Sequence, residues 1–133
     1  MIDYEKKVRE MHKIMEQAIG APYSVGLLKL REKLLSEELD ELKVEIHALI
    51  KELEEKNETT PQTRAKMMRE LADLQYVLSG MVVALGIPLE EVFERVHESH
   101  MSKLVDGKPL LREDGKFLKG PNYRPPFLED LAG

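Results

Sequence analysis

The sequence contains no cysteine, so neither a disulfide bond nor a thiolate ligand for a metal is available. It also lacks a long hydrophobic run. The longest apolar stretch, residues 71–85, covers 15 residues and includes Asp73 and Gln75, which makes it too short and too polar to cross a bilayer. The N-terminal segment MIDYEKKVREM has no apolar signal core. We therefore expect a soluble, cytoplasmic protein.

No run of lysine or arginine is present and the formal net charge is −5, which argues against a nucleic-acid-binding surface. Hydrophobic residues make up 42% of the chain and charged residues 34%, a balance typical of a soluble helical protein. A length of 133 residues favours a single domain. The basic residues near the C-terminus are Lys103, Lys108, Arg112, Lys116, Lys119 and Arg124. Their concentration there fits a phosphate-binding arm as well as it fits a solvated tail.

Apolar residues at helical spacing predict four helices, over residues 3–19, 24–56, 61–85 and 88–104. The third has the clearest boundaries, with Thr60 as N-cap, Pro61 as first helical residue and Gly86 as C-terminal stop. Further on, Asp-Gly, Gly-Pro and Pro-Pro pairs leave room for little regular structure beyond a small hairpin at LLREDGKFL. We predict an all-α fold, a four- to five-helix bundle over residues 1–105, with residues 106–133 as an extended C-terminal arm of the same domain.

The third predicted helix is apolar on nearly every side. Its apolar residues are Met68, Leu71, Leu74, Tyr76, Val77, Leu78, Met81, Val82 and Leu85. Such a helix must be covered all round, and four helices of one small chain can barely do so. The second predicted helix carries one apolar stripe, which we expect to face the core: Leu35, Leu39, Leu42, Ile46, Leu49, Ile50 and Leu53. We therefore expect a homo-oligomer, either a homodimer or a homotetramer.

Two acidic motifs carry the chemistry: Glu37, Glu38 and Glu41 on the second predicted helix, and Glu70 and Asp73 on the third. Asp73 is the only charged residue between positions 71 and 85, and a lone carboxylate there would be costly to desolvate without a partner. A divalent cation shared with the other carboxylates is the simplest solution. Oxygen ligands without cysteine favour Mg²⁺, with Mn²⁺ as a possible substitute, over zinc.

Several other interpretations are open at this point. Glutamate-rich helices are usually solvated faces, and an ion pair with Lys66 or Arg69 would also satisfy Glu70 and Asp73. The Glu94-x-x-His97 spacing occurs in di-iron bundles, but those need two such motifs and this chain has one. His100, on the apolar stripe of the fourth helix, is typical of a core histidine. His12 and His47 are expected at the surface or its boundary.

The spacing EExxE, then 28 residues, then ExxD resembles the all-α nucleoside triphosphate pyrophosphatase superfamily. That group includes MazG-like proteins, dimeric dUTPases, dCTP pyrophosphatases and phosphoribosyl-ATP pyrophosphohydrolase. The lead-in Gly20-Ala21-Pro22 is similar to its members, and so is Leu30-Arg31-x-x-Leu34. The segment HESHMSKLVDGKPLLREDGKFLKGPNYRPP most resembles phosphoribosyl-ATP-pyrophosphohydrolase-like proteins of bacteria and phages. The resemblance covers nearly the whole chain.

The resemblance implies a Mg²⁺-dependent hydrolase that converts a nucleoside triphosphate to a monophosphate and pyrophosphate, in nucleotide-pool house-cleaning. All five carboxylates are then metal ligands, and Glu38, which helical angles place about 100° from Glu37, is the favoured general base. Relatives carry an N-x-x-K pattern where this chain has His100 and Lys103, so Lys103 transfers as a phosphate ligand. The other expected substrate-binding residues are His100, Lys116, Lys119 and Tyr123. The alternatives are phosphoribosyl-ATP pyrophosphohydrolase of histidine biosynthesis and a non-catalytic helical interaction module.

Overall fold

The computed structural model describes residues 3–133, and these form an all-α fold. Its helices are α1 (Tyr4–Ile14), α2 (Val25–Lys56), α3 (Pro61–Leu85) and α4 (Leu89–Met101). A two-residue strand pair, β1 (Leu110–Leu111) and β2 (Phe117–Leu118), is antiparallel, and a 3₁₀ turn covers Glu129–Leu131. No single helix in this part of the chain is long and apolar enough to cross a membrane. Only α3 and α4 counted together across the break between them reach that length and apolarity.

Local capping explains the bounds of α2 and α3, which agree with the predicted ones. Ser24 accepts a hydrogen bond from the backbone N–H of Leu27 at the start of α2. Thr60 caps α3 in the same way, and Pro61 occupies its first turn. Gly86 ends α3 in the left-handed conformation, with φ of 65°. Since α2 and α3 are joined by only a short turn, they run antiparallel and pack along most of their length.

The first helix is shorter than predicted: it ends at Ile14 rather than near residue 19. Tertiary contacts beyond its end explain the difference. The backbone N–H groups of Gly20 and Ala21 donate to the carbonyls of Val83 and Ala84, at 2.9 and 2.8 Å. The bond to Ala84 satisfies a carbonyl at the end of α3, and the carbonyl of Val83 also accepts from Gly86. The chain must leave its helical path to make them.

The chain forms two compact units, Met1–Gly86 and Ile87–Gly133. The second unit contains α4 and the arm together, so it begins earlier than the predicted division between residues 105 and 106. Within it, Ser99 donates to the carbonyl oxygen of Arg124 at 2.7 Å. Arg95 pairs with Asp130 at 2.6 Å. The arm is therefore fastened to its own helix by polar contacts at both the middle and the end.

In the first unit the best-buried apolar side chains are few, and most lie in the last turns of α3. They are Val8, Leu42, Val82, Val83, Ala84 and Leu85. The stripe on α2, which was predicted to face the core, is largely uncovered: Leu39, Ile46, Ile50 and Leu53 are exposed. The first half of α3 also presents apolar side chains outward, with Met68 at 60% and Leu71 at 52% exposure. A single chain therefore buries only part of the apolar surface of these two helices.

Candidate functional site

Three of the predicted carboxylates meet where α2 and α3 pack side by side. Glu38 and Glu41 are three residues apart on α2, which places them on one face, and Glu70 approaches from α3. Each side chain offers one carboxylate oxygen, and these oxygens lie within 4.8 Å of one another. We call these three residues the acidic cluster. Its members have the spacing needed to share one cation.

The acidic cluster contains polar atoms that no protein group satisfies. Glu38 and Glu70 are half-buried, and the Oε2 atom of each is buried without a hydrogen-bond partner among the described residues. Buried carboxylate oxygens are normally paired with a donor, so two unpaired ones in one cluster suggest a ligand other than a protein group. Because a carboxylate can only accept hydrogen bonds or bind cations, the donor set fits a hard divalent metal ion.

Crowding changes the acidity of this cluster. Burial raises the pKa of Glu38, and the nearby charges of Glu41, Asp73 and Glu70 raise it further. Burial also raises the pKa of Glu70, followed by a hydrogen bond to Glu41 and by the charges of Glu41 and Asp73, while Arg69 opposes the shift. Negative charge is therefore in excess here, and a bound cation would relieve it.

The two remaining predicted ligands lie outside the cluster. Glu37 is exposed and pairs with Lys33, at 3.9 Å, on the solvent side of α2. Asp73 is half-buried and close enough for its charge to act on Glu38 and Glu70. Within residues 3–133, neither Glu70 nor Asp73 forms an ion pair with Lys66 or Arg69. The ion-pair interpretation of these two acids therefore has no support.

Both Glu37 and Glu38 were predicted as metal ligands, whereas in the structure Glu38 joins Glu41 and Glu70 and Glu37 does not. The difference arises because α3 packs against the side of α2 that carries Glu38. Angles within one helix cannot reveal which side its neighbour occupies. The general-base role of Glu38 depends on substrate position, and it remains a prediction.

In the second unit, four of the five predicted substrate-binding residues come together. The Nζ atom of Lys103 lies 3.1 Å from Nδ1 of His100. The Nζ atoms of Lys119 and Lys103 lie 4.7 and 5.9 Å from the ring centroid of Tyr123, within the range of a cation–π contact. We call His100, Lys103, Lys119 and Tyr123 the basic cluster. His100 is exposed, so the expectation of a core histidine was wrong.

Lys116, the fifth predicted substrate-binding residue, is exposed in the turn between β1 and β2. Its backbone N–H donates to Asp114, which also pairs with Arg112. These contacts shape the hairpin turn, and they use the main chain of Lys116 and leave its ammonium group in solvent. Of the two arm lysines predicted to bind substrate, only Lys119 therefore lies inside the basic cluster.

Sequence reasoning missed a group of buried polar residues in the first unit. His12 was expected near the surface, yet it is only 3% exposed; Arg31 is 4% exposed and Ser79 3%. Gln75 donates a hydrogen bond to Ser79 at 2.9 Å. A faint signal was available. Gly80 interrupts an otherwise good helix, and a glycine there costs stability unless something must approach closely.

Comparison with known proteins identifies a family for this chain. A family model described as phosphoribosyl-ATP pyrophosphohydrolase matches residues 8–100, well over half of the chain. The match includes all five predicted carboxylates and the whole of α2 and α3. A search of curated proteins gave no match. The matched range and the carboxylates within it lead to one conclusion: the chain belongs to the phosphoribosyl-ATP pyrophosphohydrolase family, a group of pyrophosphohydrolases related to MazG-like proteins.

Proposed function

We propose that this protein is a Mg²⁺-dependent pyrophosphohydrolase that cleaves a (deoxy)nucleoside triphosphate to a monophosphate and pyrophosphate. Its role would be to remove unwanted nucleotides from the pool. The observation that carries the proposal is the acidic cluster, whose two unsatisfied buried oxygens lie on the helices that the pyrophosphohydrolase family model matches.

The acidic cluster supplies the proposed metal ligands. Glu38, Glu41 and Glu70 lie within reach of a single ion, and Asp73 is the nearest further carboxylate that could join them. Glu37 would have to release Lys33 to take part. Mg²⁺ fits this oxygen-only set, and Mn²⁺ could replace it. When bound, such an ion polarises phosphate oxygens and neutralises charge on the departing pyrophosphate.

The proposed reaction forms one bond and breaks one bond at the α-phosphorus. The oxygen of a water molecule attacks this atom, and the bond from it to the oxygen bridging the α- and β-phosphorus breaks. Pyrophosphate leaves with the electron pair. Glu38 is the proposed acceptor of the proton from water. The Oε2 atom of Glu38 has no hydrogen-bond partner, so it is free to accept a hydrogen bond from this water.

The basic cluster is the proposed contact for the phosphate chain. Lys103 and Lys119 place two ammonium groups near one tyrosine ring, and a phosphate chain could form charge-assisted hydrogen bonds with both. His100 adds a ring nitrogen beside Lys103. Tyr123 is proposed to pack against the sugar or base. Lys116 is retained as an outer phosphate contact because its side chain is exposed and unrestrained by its turn.

A homodimer or homotetramer is proposed as the working assembly. The exposed apolar side chains of α2 and α3 form surfaces whose contact with water is unfavourable. Tyr4 of α1 and Met68, Leu71 and Tyr76 of α3 also line one open groove. A second copy of the chain would cover these surfaces, as the nearly all-round apolar character of α3 requires.

Phosphoribosyl-ATP is the second candidate substrate, because the family model that matches carries its name. Hydrolysis of this compound breaks the same α–β phosphoanhydride bond, so the acidic cluster serves both substrates equally. A non-catalytic interaction module is disfavoured by the family match and by the unsatisfied oxygens of Glu38 and Glu70.

The test is a panel of common and modified nucleoside triphosphates together with phosphoribosyl-ATP, each assayed with Mg²⁺ for release of pyrophosphate. Preference for a nucleoside triphosphate supports the first candidate, and preference for phosphoribosyl-ATP supports the second. Glu54→Gln, an exposed change on α2 away from the cluster, serves as the matched control for Glu41→Gln. No turnover of any compound by the wild-type protein would contradict both candidates.

A further inference from the structure

A buried arginine in the first unit has no partner for its charge. Arg31 of α2 is 4% exposed, and its Nε atom is buried without a hydrogen-bond partner. Among residues 3–133, no carboxylate lies within ion-pair distance of it. Burial lowers the pKa of this guanidinium, but arginine keeps its proton in proteins, so the site carries a positive charge. An uncompensated buried charge is strongly destabilising, which implies that a partner completes it.

Two other helices shape the space around this guanidinium. A Cβ atom added to Gly80 of α3 would lie only 2.8 Å from the NH1 atom of Arg31 and 3.4 Å from Nε2 of His12. The side chains of Arg31 and His12 therefore pack so closely on Gly80 that a Cβ atom at position 80 would clash with Arg31. We call His12, Arg31 and Gly80 the guanidinium pocket.

The histidine presents a defined edge to this pocket. Its Nδ1 lies 2.8 Å from the carbonyl oxygen of Ala18. Because a carbonyl can only accept, Nδ1 must carry the hydrogen and donate it. The other nitrogen, Nε2, is then left facing the guanidinium pocket.

The pocket and the acidic cluster share one line along the helix pair. Arg31 precedes Glu38 by seven residues on α2, which is about two turns or 10 Å. On α3, which runs antiparallel, Gly80 follows Asp73 by seven residues. Opposite unsatisfied charges thus lie at two places along the same α2–α3 surface. A phosphate chain held by metal at the acidic cluster would carry negative oxygens toward the pocket.

We propose that Arg31 binds an anionic phosphate oxygen of the substrate that the metal site does not hold. This inference rests on the proposed function, since it assigns one end of the phosphate chain to a site within the first unit. Gly80 then has a functional reason, which is to keep the space over α3 open for the guanidinium. Arg31 is a binding residue in this scheme and takes no proton from water.

The test measures binding of inorganic tripolyphosphate in the presence of Mg²⁺ by calorimetry, which needs no turnover. Arg31→Met, which removes the charge and keeps most of the side-chain bulk, should weaken the affinity by about tenfold to a hundredfold. Gly80→Ala should weaken it too, because the added methyl group displaces NH1. Gly26→Ala is the matched control. Position 26 is also a glycine in a helix, but nothing lies within 4 Å of its added Cβ, so wild-type affinity is expected.

Mn²⁺ binding to the acidic cluster, measured separately, should be unchanged in all three variants. Unchanged tripolyphosphate affinity in Gly80→Ala and in folded Arg31→Met would overturn the inference while leaving the proposed hydrolase intact. A changed oligomer mass with unchanged affinity would also overturn it, by assigning Arg31 to a partner chain. If Arg31→Met does not fold, Gly80→Ala alone decides. If the wild-type protein turns over no compound of the substrate panel but tripolyphosphate binding behaves as described, the proposed function is contradicted. The anion-binding role of Arg31 is then still supported.

Discussion

Glu41 of α2 and Glu70 of α3 face each other across the helix pair, with carboxylate oxygens within 4.8 Å. A hydrogen bond between them is, after burial, a cause of the raised pKa of Glu70. Because burial and crowding raise the pKa of Glu70, protons and a metal ion compete for this pair. Protonation, metal binding and stability are therefore linked at this pair.

Removing one carboxylate should distinguish charge repulsion in the metal-free protein from the catalytic role of the site. Asp73→Asn and Glu41→Gln are each expected to lower turnover by at least about a hundredfold, because Glu41 is a proposed metal ligand and Asp73 is the carboxylate proposed to join the cluster when the ion binds. In metal-free protein the same variants should melt at the wild-type temperature or above, since one of several like charges is gone.

Thermal unfolding with and without Mg²⁺ measures both effects. Wild-type protein should gain about 2.7 kcal/mol at a metal concentration 100 times the Kd, whereas the variants should gain much less. Glu54→Gln should behave as wild type in both conditions. If Asp73→Asn unfolds the metal-free protein, Asp73 is a structural residue and the metal site as proposed is wrong.

The raised pKa values of Glu38 and Glu70 set the sign of a pH effect. Each folded-state pKa lies above the ordinary value of 4.5. The stability that these groups contribute is therefore fully present below that value, and it is lost as pH rises through the raised pKa. Over the same window metal affinity should increase, because protons no longer compete with the cation.

Chemical unfolding at a series of pH values checks this sign. Asp130, whose pKa is lowered by Arg95, contributes in the opposite direction, so the wild-type curve must be compared with that of Glu38→Gln. The free energy of unfolding of the wild type minus that of Glu38→Gln should decrease as pH rises. Mg²⁺ should abolish this trend. A difference that does not change with pH would remove the crowding argument.

The bounds of α2 and α3 were predictable because capping is local: Ser24, Thr60 and Gly86 act on the turn beside them. The end of α1 was not, because it depends on hydrogen bonds to Val83 and Ala84, far away in sequence. The spacing of the five carboxylates predicted one shared site, and the structure brings three of them together. Their grouping was only partly right, since the side of α2 on which α3 packs decides that Glu38 rather than Glu37 lies inward. The burial of Arg31 and His12 depends on the same packing and left no periodic signal.

The basic cluster should affect substrate affinity more than metal binding. Lys103→Met and Lys119→Met each remove one charge near Tyr123 and are expected to raise KM about tenfold, as loss of a charge-assisted hydrogen bond does. Lys108→Met is the matched control, because Lys108 is exposed and bonds Val105 through its backbone. Steady-state kinetics on the preferred substrate measure the effect.

Truncation after Val105 extends this test to the whole arm. A phosphate-binding arm predicts loss of affinity and turnover with metal binding retained. Some loss of stability is also expected, because the contacts of Ser99 and Arg95 with the arm are removed. A lower melting temperature with unchanged kinetics in both the truncated protein and the lysine variants would instead make the arm a purely structural segment.

The apolar surfaces of α2 and α3 predict an obligate oligomer. Sedimentation at micromolar concentration should give a dimer or tetramer of the 15.3 kDa chain. Leu71→Glu, on an exposed apolar position of α3, should dissociate it, whereas Glu58→Lys, at the exposed turn between α2 and α3, should not. An active, monodisperse wild-type monomer would contradict the prediction.

The most direct test of the central claim follows the oxygen of the attacking water. The preferred substrate is hydrolysed with Mg²⁺ in water enriched in ¹⁸O, and the masses of the products are measured by mass spectrometry. Attack at the α-phosphorus predicts one ¹⁸O atom in the monophosphate, unlabelled pyrophosphate and no orthophosphate, with turnover at least about a hundredfold lower in Glu41→Gln. Label in pyrophosphate, release of orthophosphate, or undiminished turnover in Glu41→Gln would contradict the account.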